Sequence, residues 1–231
     1  YVNNLKQSIV DAGLKADLHI MGSNGGVATA DLVSERPVLT LLSGPAAGVL
    51  GGAWCGELSQ RDKLITFDVG GTSADIGIIS GGRLSEATAR DTSIADFPLM
   101  VPMIDIHTIG AGGGTIAWID RAGTLRSGPQ SAGASPGPAA YSQGGEEPTN
   151  TDANLALGRL DPNQFLGGEF TLSLDLATIA VKTKIAEPLG MSLEEAAEGM
   201  LRVSNENMVD ALRLISVERG NDPRDYTLIA F

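Results

Sequence analysis

The segment LITFDVGGTSAD, Leu64 to Asp75, carries the main functional clue in this chain. Four largely apolar residues suited to a buried strand lead into Asp68, and Gly70, Gly71, Thr72, Ser73 and Asp75 follow within seven positions. Paired glycines let the backbone bend tightly and bring bare N–H groups up to an anion. Thr72 and Ser73 add hydroxyl donors, and Asp68 and Asp75 can orient a Mg2+ ion or its waters. The same residues also fit an ordinary β-hairpin with a Gly-Gly turn and polar neighbours. Spacing alone leaves both readings open.

The rest of the chain limits the partners such a turn can have. With 231 residues, 42% of them hydrophobic, the chain can bury a sizeable core as one large domain or two modest ones. A net charge of −12 leaves no basic stripe to displace counterions, which argues against nucleic acid or an anionic membrane surface as partner. Small molecules and proteins remain. The single cysteine, Cys55, excludes an intrachain disulfide, fits a reducing, cytoplasmic setting, and is expected to be a small buried residue. No window has the unbroken apolar length of a membrane span, and the start, YVNNLKQSIVDAG, lacks the order of a signal peptide. The chain opens on Tyr1 and closes on an apolar strand pattern, YTLIAF, so it is expected to be a piece of a longer polypeptide.

Periodicity predicts an α/β protein. A first helix ends at Gly13, strands are expected at Asp17–Met21 and Val38–Leu42, and SGPAAG (Ser43–Gly48) opens a helix running to about Ser59, weakened by its internal glycines. From Leu64 to Ser127 strands dominate: LITFDV, DIGIIS with a Gly81-Gly82 turn, MIDIHTI, TIAWID and TLRSG. Residues 128–150, rich in Gly, Pro, Ser and Ala, read as a long loop over a site or an interface. Asp152, or Thr151, caps a short helix. Ser192 with Glu195 forms a capping box for a long helix extending to Gly220.

Three further patterns bear on chemistry. The glycine run Gly110-Ala111-Gly112-Gly113-Gly114 departs from the dinucleotide fingerprint, having Thr115 where a glycine belongs and a strand following. It reads instead either as a loop that lets a ligand approach the backbone or as a tight turn. Asp105 and His107 share one face of an expected strand and are candidates for metal or substrate contact. Gly133-Ala134-Ser135-Pro136-Gly137 satisfies G-x-S-x-G, but lies in a Pro-rich loop where no strand-to-helix elbow is expected. No GxxxxGK[ST] is present, so a nucleotide would be held by other means.

The run LLSGPAAGV, TFDVGGTSADI, DIHTIGAGGGTIAWID, PGPAAY, TDANLALGRL and SVERGNDPRDYTLIAF closely resembles the hydantoinase A and oxoprolinase family, which includes acetone carboxylase subunits. The resemblance covers nearly the whole chain. It implies a partial actin-like ATPase (ribonuclease H-like) fold, a mixed sheet flanked by helices, with two related halves clasping ATP and Mg2+ or Mn2+. Residues 1–60 would belong to the first lobe or the inter-lobe region and 61–231 to the second lobe. A first phosphate loop would precede Tyr1 and an adenosine-binding turn would follow Phe231, so the chain alone is expected neither to hydrolyse ATP nor to bind it tightly.

The implied reaction is ATP-dependent opening of a cyclic amide, a hydantoin or an oxoproline lactam, with phosphoryl transfer making the amide carbon attackable by water. Gly70, Gly71, Thr72 and Ser73 would hold the transferring phosphate. Asp68 and Asp75 would act as catalytic and metal-ordering carboxylates, and Gly110, Gly112, Gly113, Asp105 and His107 would face the same cleft. A second hydantoinase-type subunit and a homo-oligomer are the implied partners. Rival readings are a ketone carboxylase subunit or kinase, a non-catalytic actin-like ATP-binding module, and a catalytically dead structural domain.

Overall fold

A computed structural model describes residues 1–87 and 97–231 and the backbone of 93–94. It divides into two compact units: residues 1–68, 75–107 and 222–231 form the first, and 69–74 with 108–221 form the second. In chain order the first unit holds α1 (Val2–Asp11), β1 (His19–Met21), β2 (Val27–Thr29), α2 (Ala30–Glu35), α3 (Ser43–Leu58), β3 (Leu64–Val69) and β4 (Ala74–Ser80). Short strands follow: β5 (Arg83–Leu84), β6 (Glu86–Ala87), β7 (Ser93–Ile94), β8 (Phe97–Pro98), β9 (Met103–Ile104) and β10 (Ile106–Ile109). The second unit adds β11 (Thr115–Ile119), β12 (Leu125–Ser131), α4 (Asn150–Ala156), α5 (Leu174–Val181), α6 (Glu187–Leu189) and α7 (Leu193–Ile215), and the chain returns to the first with β13 (Thr227–Ala230).

The main sheet has the order β10-β4-β3-β13, with β5 beside β4. It is mixed: β13 runs parallel to β3, whereas β5 pairs antiparallel with β4 through the expected Gly81-Gly82 turn. Leu64, Ile65, Thr66 and Phe67 are all buried, as an apolar run without alternation requires when both faces of a strand are covered.

The glycines that weaken α3 by propensity are what seat it. Gly48, Gly52 and Gly56 recur every fourth residue and so share one face of the helix. A Cβ at Gly48 would lie 2.7 Å from the Phe231 ring and one at Gly52 2.6 Å from Thr66 Cγ2, while one at Gly56 would collide with Leu64. Around this ridge Ala46, Val49, Leu64, Ile79 and Ile104 form the first unit's core. Cys55 lies off the buried stripe and is exposed, contrary to the expectation of a buried residue.

Two strand expectations fail for local reasons. Val38–Leu42 is not a strand: Pro37–Thr40 is a 3-10 turn, opened by a proline whose fixed φ suits a helical start, and Thr40 Oγ1 donates back to Pro37 O at 2.9 Å. MIDIHTI changes partner at Asp105, whose N–H donates to Ser85 O at 2.8 Å and so extends the register in which Ile104 faces Glu86. Before that change β9 pairs with β6, and after it β10 joins the main sheet.

In the second unit β11 and β12 form a bulged hairpin. Asp120 accepts from the amides of Ala122 and Thr124 and pairs with Arg126 at 2.9 Å, and these contacts hold its carboxyl below the usual range, the Thr124 amide contributing most. β12 reaches Ser131, further than TLRSG predicts, so the irregular segment is shorter than expected. Its Pro138, Ala139 and Ala140 are buried, and Asp152 Oδ1 accepts from Ala140 N at 2.7 Å.

Neither Thr151 nor Asp152 is the N-cap of α4. Thr149 is, with Asp152 three residues on completing a capping box that accepts from Thr149 N and Oγ1. Asp152 is fully buried; burial pushes its carboxyl up, against the pull of these donors. Small residues dominate the core below, where Ala117, Ala153, Val181, Ile185, Ala196, Ala197 and Met200 pack together. The Ser192–Glu195 capping box of α7 forms as expected. No helix among the described residues is long and apolar enough to cross a membrane.

Candidate functional site: a glycine turn held from behind

β3 and β4 are neighbours joined by Gly70–Ser73. Gly70 N donates to Ser73 O at 2.9 Å, and Thr66 Oγ1 donates to Gly77 O at 3.3 Å. Residue numbers sum to the same value in both pairs, the mark of antiparallel register, so the segment is a hairpin. This does not exclude an anion site, because the hairpin's tip is unusual. The carbonyls of Gly70 and Gly71 accept from Gly113 N at 3.1 Å and Gly114 N at 2.6 Å. Among the described residues the N–H groups of Gly71, Thr72 and Ser73 and the hydroxyls of Thr72 and Ser73 have no hydrogen-bond partner, and Gly71 and Thr72 are exposed. The tip thus holds its acceptors inward and leaves consecutive donors free, the pattern that concentrates partial positive charge for an anion.

The second glycine run is built differently. Gly112 N donates to Thr115 Oγ1 at 2.7 Å, and the amides of Gly113 and Gly114 are engaged by the turn. Gly112 O accepts from Asn150 Nδ2 at 2.9 Å, Gly113 O from Thr151 N at 2.8 Å and Oγ1 at 2.9 Å, and Gly114 O from Ala132 N at 2.8 Å. What the glycines here provide is proximity. A Cβ at Gly112 would stand 2.6 Å from Gly70 O and 2.8 Å from Thr72 N, and one at Gly110 3.0 Å from Pro129 O.

The structure therefore brings Gly70, Gly71, Thr72 and Ser73 together with Gly112 and Gly113. It also recruits Asn150, Thr151 and Thr115, which the sequence reading did not single out as site residues. A detectable signal was the string of polar residues Thr149–Asp152, longer than a helix cap alone needs.

Asp68 lies near the end of β3, Asp75 near the start of β4 and His107 on β10, three adjacent strands of the first unit's sheet, with Asp105 at the break before β10. All four are half-buried. Among the described residues no three His, Cys, Asp or Glu side chains gather as a metal cluster. Carboxylates such as those of Asp68 and Asp75 are the kind of donor Mg2+ takes, one or two at a time beside waters and phosphate oxygens, whereas the His107 imidazole is not. Gly133–Gly137 sits beyond the end of β12 with only a three-residue 3-10 turn, Ala139–Tyr141, behind it, and Ser135 is exposed, so G-x-S-x-G forms no strand-to-α-helix nucleophile elbow.

Comparison with known proteins agrees with this architecture. The chain is 44% identical over 229 residues to the caprolactamase subunit alpha of Pseudomonas jessenii, covering 99% of this chain and 33% of the relative. The crystal structure of ATP-dependent caprolactamase from the same organism superposes with a TM-score of 0.84 at 43% identity, covering all of this chain and 33% of that one. A nucleotide-free acetone carboxylase, solved in a study of ATP-dependent acetone carboxylation, gives a TM-score of 0.88 at 29% identity over 98% of this chain and 32% of that one. The chain thus spans about a third of the length of these relatives. The Hydantoinase/oxoprolinase family description matches residues 1–231 from end to end, and the chain belongs to that family.

Proposed function

We propose that this chain supplies one phosphate-binding side of an actin-like ATP site, in an enzyme that couples ATP to the opening of a cyclic amide. The observation that carries the reading is the row of donors at Gly71, Thr72 and Ser73 that have no partner among the described residues, beside Gly70 and Gly71 carbonyls tied to Gly113 and Gly114. Such fixed donors stabilise phosphoryl oxygens without reorganising during the reaction. ATP supplies the phosphoryl group that converts an inert amide oxygen into one whose carbon water can attack. The turn's part is to hold and align that group, and Asp68 and Asp75, which flank the turn in sequence, would order Mg2+ and its waters. Residues 61–231 serve in this reading as the second lobe, with 1–60 joining it to the first.

Similarity to a caprolactamase subunit favours a lactam-type substrate and a second subunit as partner. Similarity to acetone carboxylase supports a second reading, a ketone as phosphoryl acceptor, with the same turn in the same role. ADP release by the complete enzyme, measured against hydantoins, lactams and ketones, separates the two.

Gly71→Val tests the site itself. A Cβ at Gly71 has no heavy atom within 4 Å, and its φ lies outside the left-handed region, so the substitution should leave folding intact while filling the space over the turn. Loss of ATP binding with an unchanged melting temperature is the expected result; unchanged binding would overturn the proposal.

A further inference from the structure

Peptide planarity links the free donors at the tip to two side chains far along the sequence. In a trans peptide the carbonyl of one residue and the N–H of the next point in opposite directions from one rigid plane. Asn150 Nδ2 donates to Gly112 O, and the same plane carries Gly113 N–H to Gly70 O, whose own plane carries the free Gly71 N–H. Beside it, Thr151 N and Oγ1 both donate to Gly113 O, whose plane carries Gly114 N–H to Gly71 O, whose plane carries the free Thr72 N–H. Two parallel relays of two peptide planes each thus run from the start of α4 to two adjacent outward amides.

The far end of the first relay is anchored in turn. Asn150 Nδ2 also donates to Ser204 Oγ on α7 at 2.8 Å, and Ser204 is buried. Asn150 is itself buried, and its Oδ1 has no hydrogen-bond partner among the described residues. An amide whose acceptor side is unsatisfied costs stability at a buried position. Its use here lies in its donor side, which grips Gly112 and α7 together.

We infer that Asn150 and Thr151 are positioning residues for phosphate binding: by fixing the Gly112 and Gly113 carbonyls they set the direction of the Gly71 and Thr72 amides. Neither residue touches the phosphate. The inference rests on reading Gly70–Ser73 as the phosphate turn and extends it from the turn to the start of α4. Hydrogen bonds in such a chain also polarise one another, so removing the first donor weakens the last.

Thr151→Val keeps the shape and the backbone N–H but removes the Oγ1 bond to Gly113 O. In the complete enzyme it should raise KM for ATP roughly tenfold, since small misplacements of binding groups are costly, with the melting temperature of the nucleotide-free protein held. Thr151→Ser should restore the wild-type value. Ser204→Ala, which releases the outer anchor of Asn150, should shift KM in the same direction by less.

The amides of Gly113 and Gly114 should exchange with deuterium faster in both Thr151→Val and Ser204→Ala, a change that loosening elsewhere would not confine to these two positions. Wild-type KM and wild-type exchange in Thr151→Val would overturn the inference. Gly71→Val, measured in parallel, separates the levels. If Gly71→Val loses ATP while Thr151→Val binds it normally, the relay is wrong and the turn right; if Gly71→Val binds ATP normally, the phosphate reading itself falls and the inference with it.

Discussion

Gly114 donates its N–H to the carbonyl of Gly71 at 2.6 Å, so that two glycine loops separated by some forty positions in sequence meet backbone to backbone. That approach is possible because neither loop carries a side chain at the contact. The glycine-rich character of both segments is thus one structural requirement met twice.

A methyl group at the second loop should therefore act on the first. In Gly112→Ala the new Cβ would stand 2.6 Å from Gly70 O and 2.8 Å from Thr72 N, both backbone atoms that cannot rotate away. A stability loss of about 1–3 kcal/mol is expected for such overpacking. ATP affinity should fall with it, because the turn must shift to relieve the contact. Gly71→Ala, with open space around it, should leave the melting temperature unchanged. Thermal melts of the two variants side by side check the contrast; equal stability in both would contradict the backbone contact.

Adjacent glycines on α3 should respond with opposite signs. Gly51 has no heavy atom within 4 Å of an added Cβ, whereas Gly52 would meet Thr66 Cγ2 at 2.6 Å on a β-branched side chain with little freedom to turn. Gly51→Ala is expected to raise stability by about 0.4–1 kcal/mol through helix propensity and a less flexible unfolded chain. Gly52→Ala is expected to lower it by about 1–3 kcal/mol. Chemical denaturation of both variants decides, and a stabilising Gly52→Ala would show that α3 does not seat on the sheet through its glycine ridge.

Acid should loosen the approach to β13. Arg224 donates to both Asp222 oxygens, and its side chain and backbone N–H together lower the Asp222 carboxyl from 3.8 to about 2. A carboxyl whose folded value is depressed binds protons less readily folded than unfolded. Its stabilising contribution is therefore present above the unfolded value near 3.8 and is lost as pH falls through about 2. Both partners are solvent-exposed, so the contribution is small. The direct check is an NMR titration of the Asp222 carboxyl, with a midpoint near 2 expected and one near 3.8 arguing against the pairing.

Features governed by local chemistry were legible in the sequence. The apolar run into Gly70-Gly71 marked β3 and the turn, Ser192 and Glu195 marked the start of α7, and Gly81-Gly82 marked the β4–β5 hairpin. Features set by distant contacts were not. Val38 and Thr40 have strand propensity, but Pro37 and the bonds from Ser23 to Leu39 O hold them in a turn. MIDIHTI looked like one strand because the change of partner at Asp105 depends on Ser85 and the residues paired beside it. Thr149, Thr151 and Asp152 all qualify as caps, and only the buried fit of Asp152 against Ala140 settles which one serves.

The site divides along the same line. The residues of Gly70–Ser73 could be found by motif, but their inward carbonyls depend on Gly113 and Gly114, and those on Asn150 and Thr151. No local pattern encodes a contact of that range.

The parallel pairing of β13 with β3, Thr227 opposite Leu64, has a kinetic consequence. α3, β3 and β4 are close neighbours in the chain and can assemble early, whereas β13 must wait for everything between. The entropy of closing so long a loop grows only logarithmically with its length, but pairings between distant residues slow folding markedly. In refolding experiments the β13 edge of β3 should accordingly be the last place to gain hydrogen-exchange protection, after α3, β3 and β4.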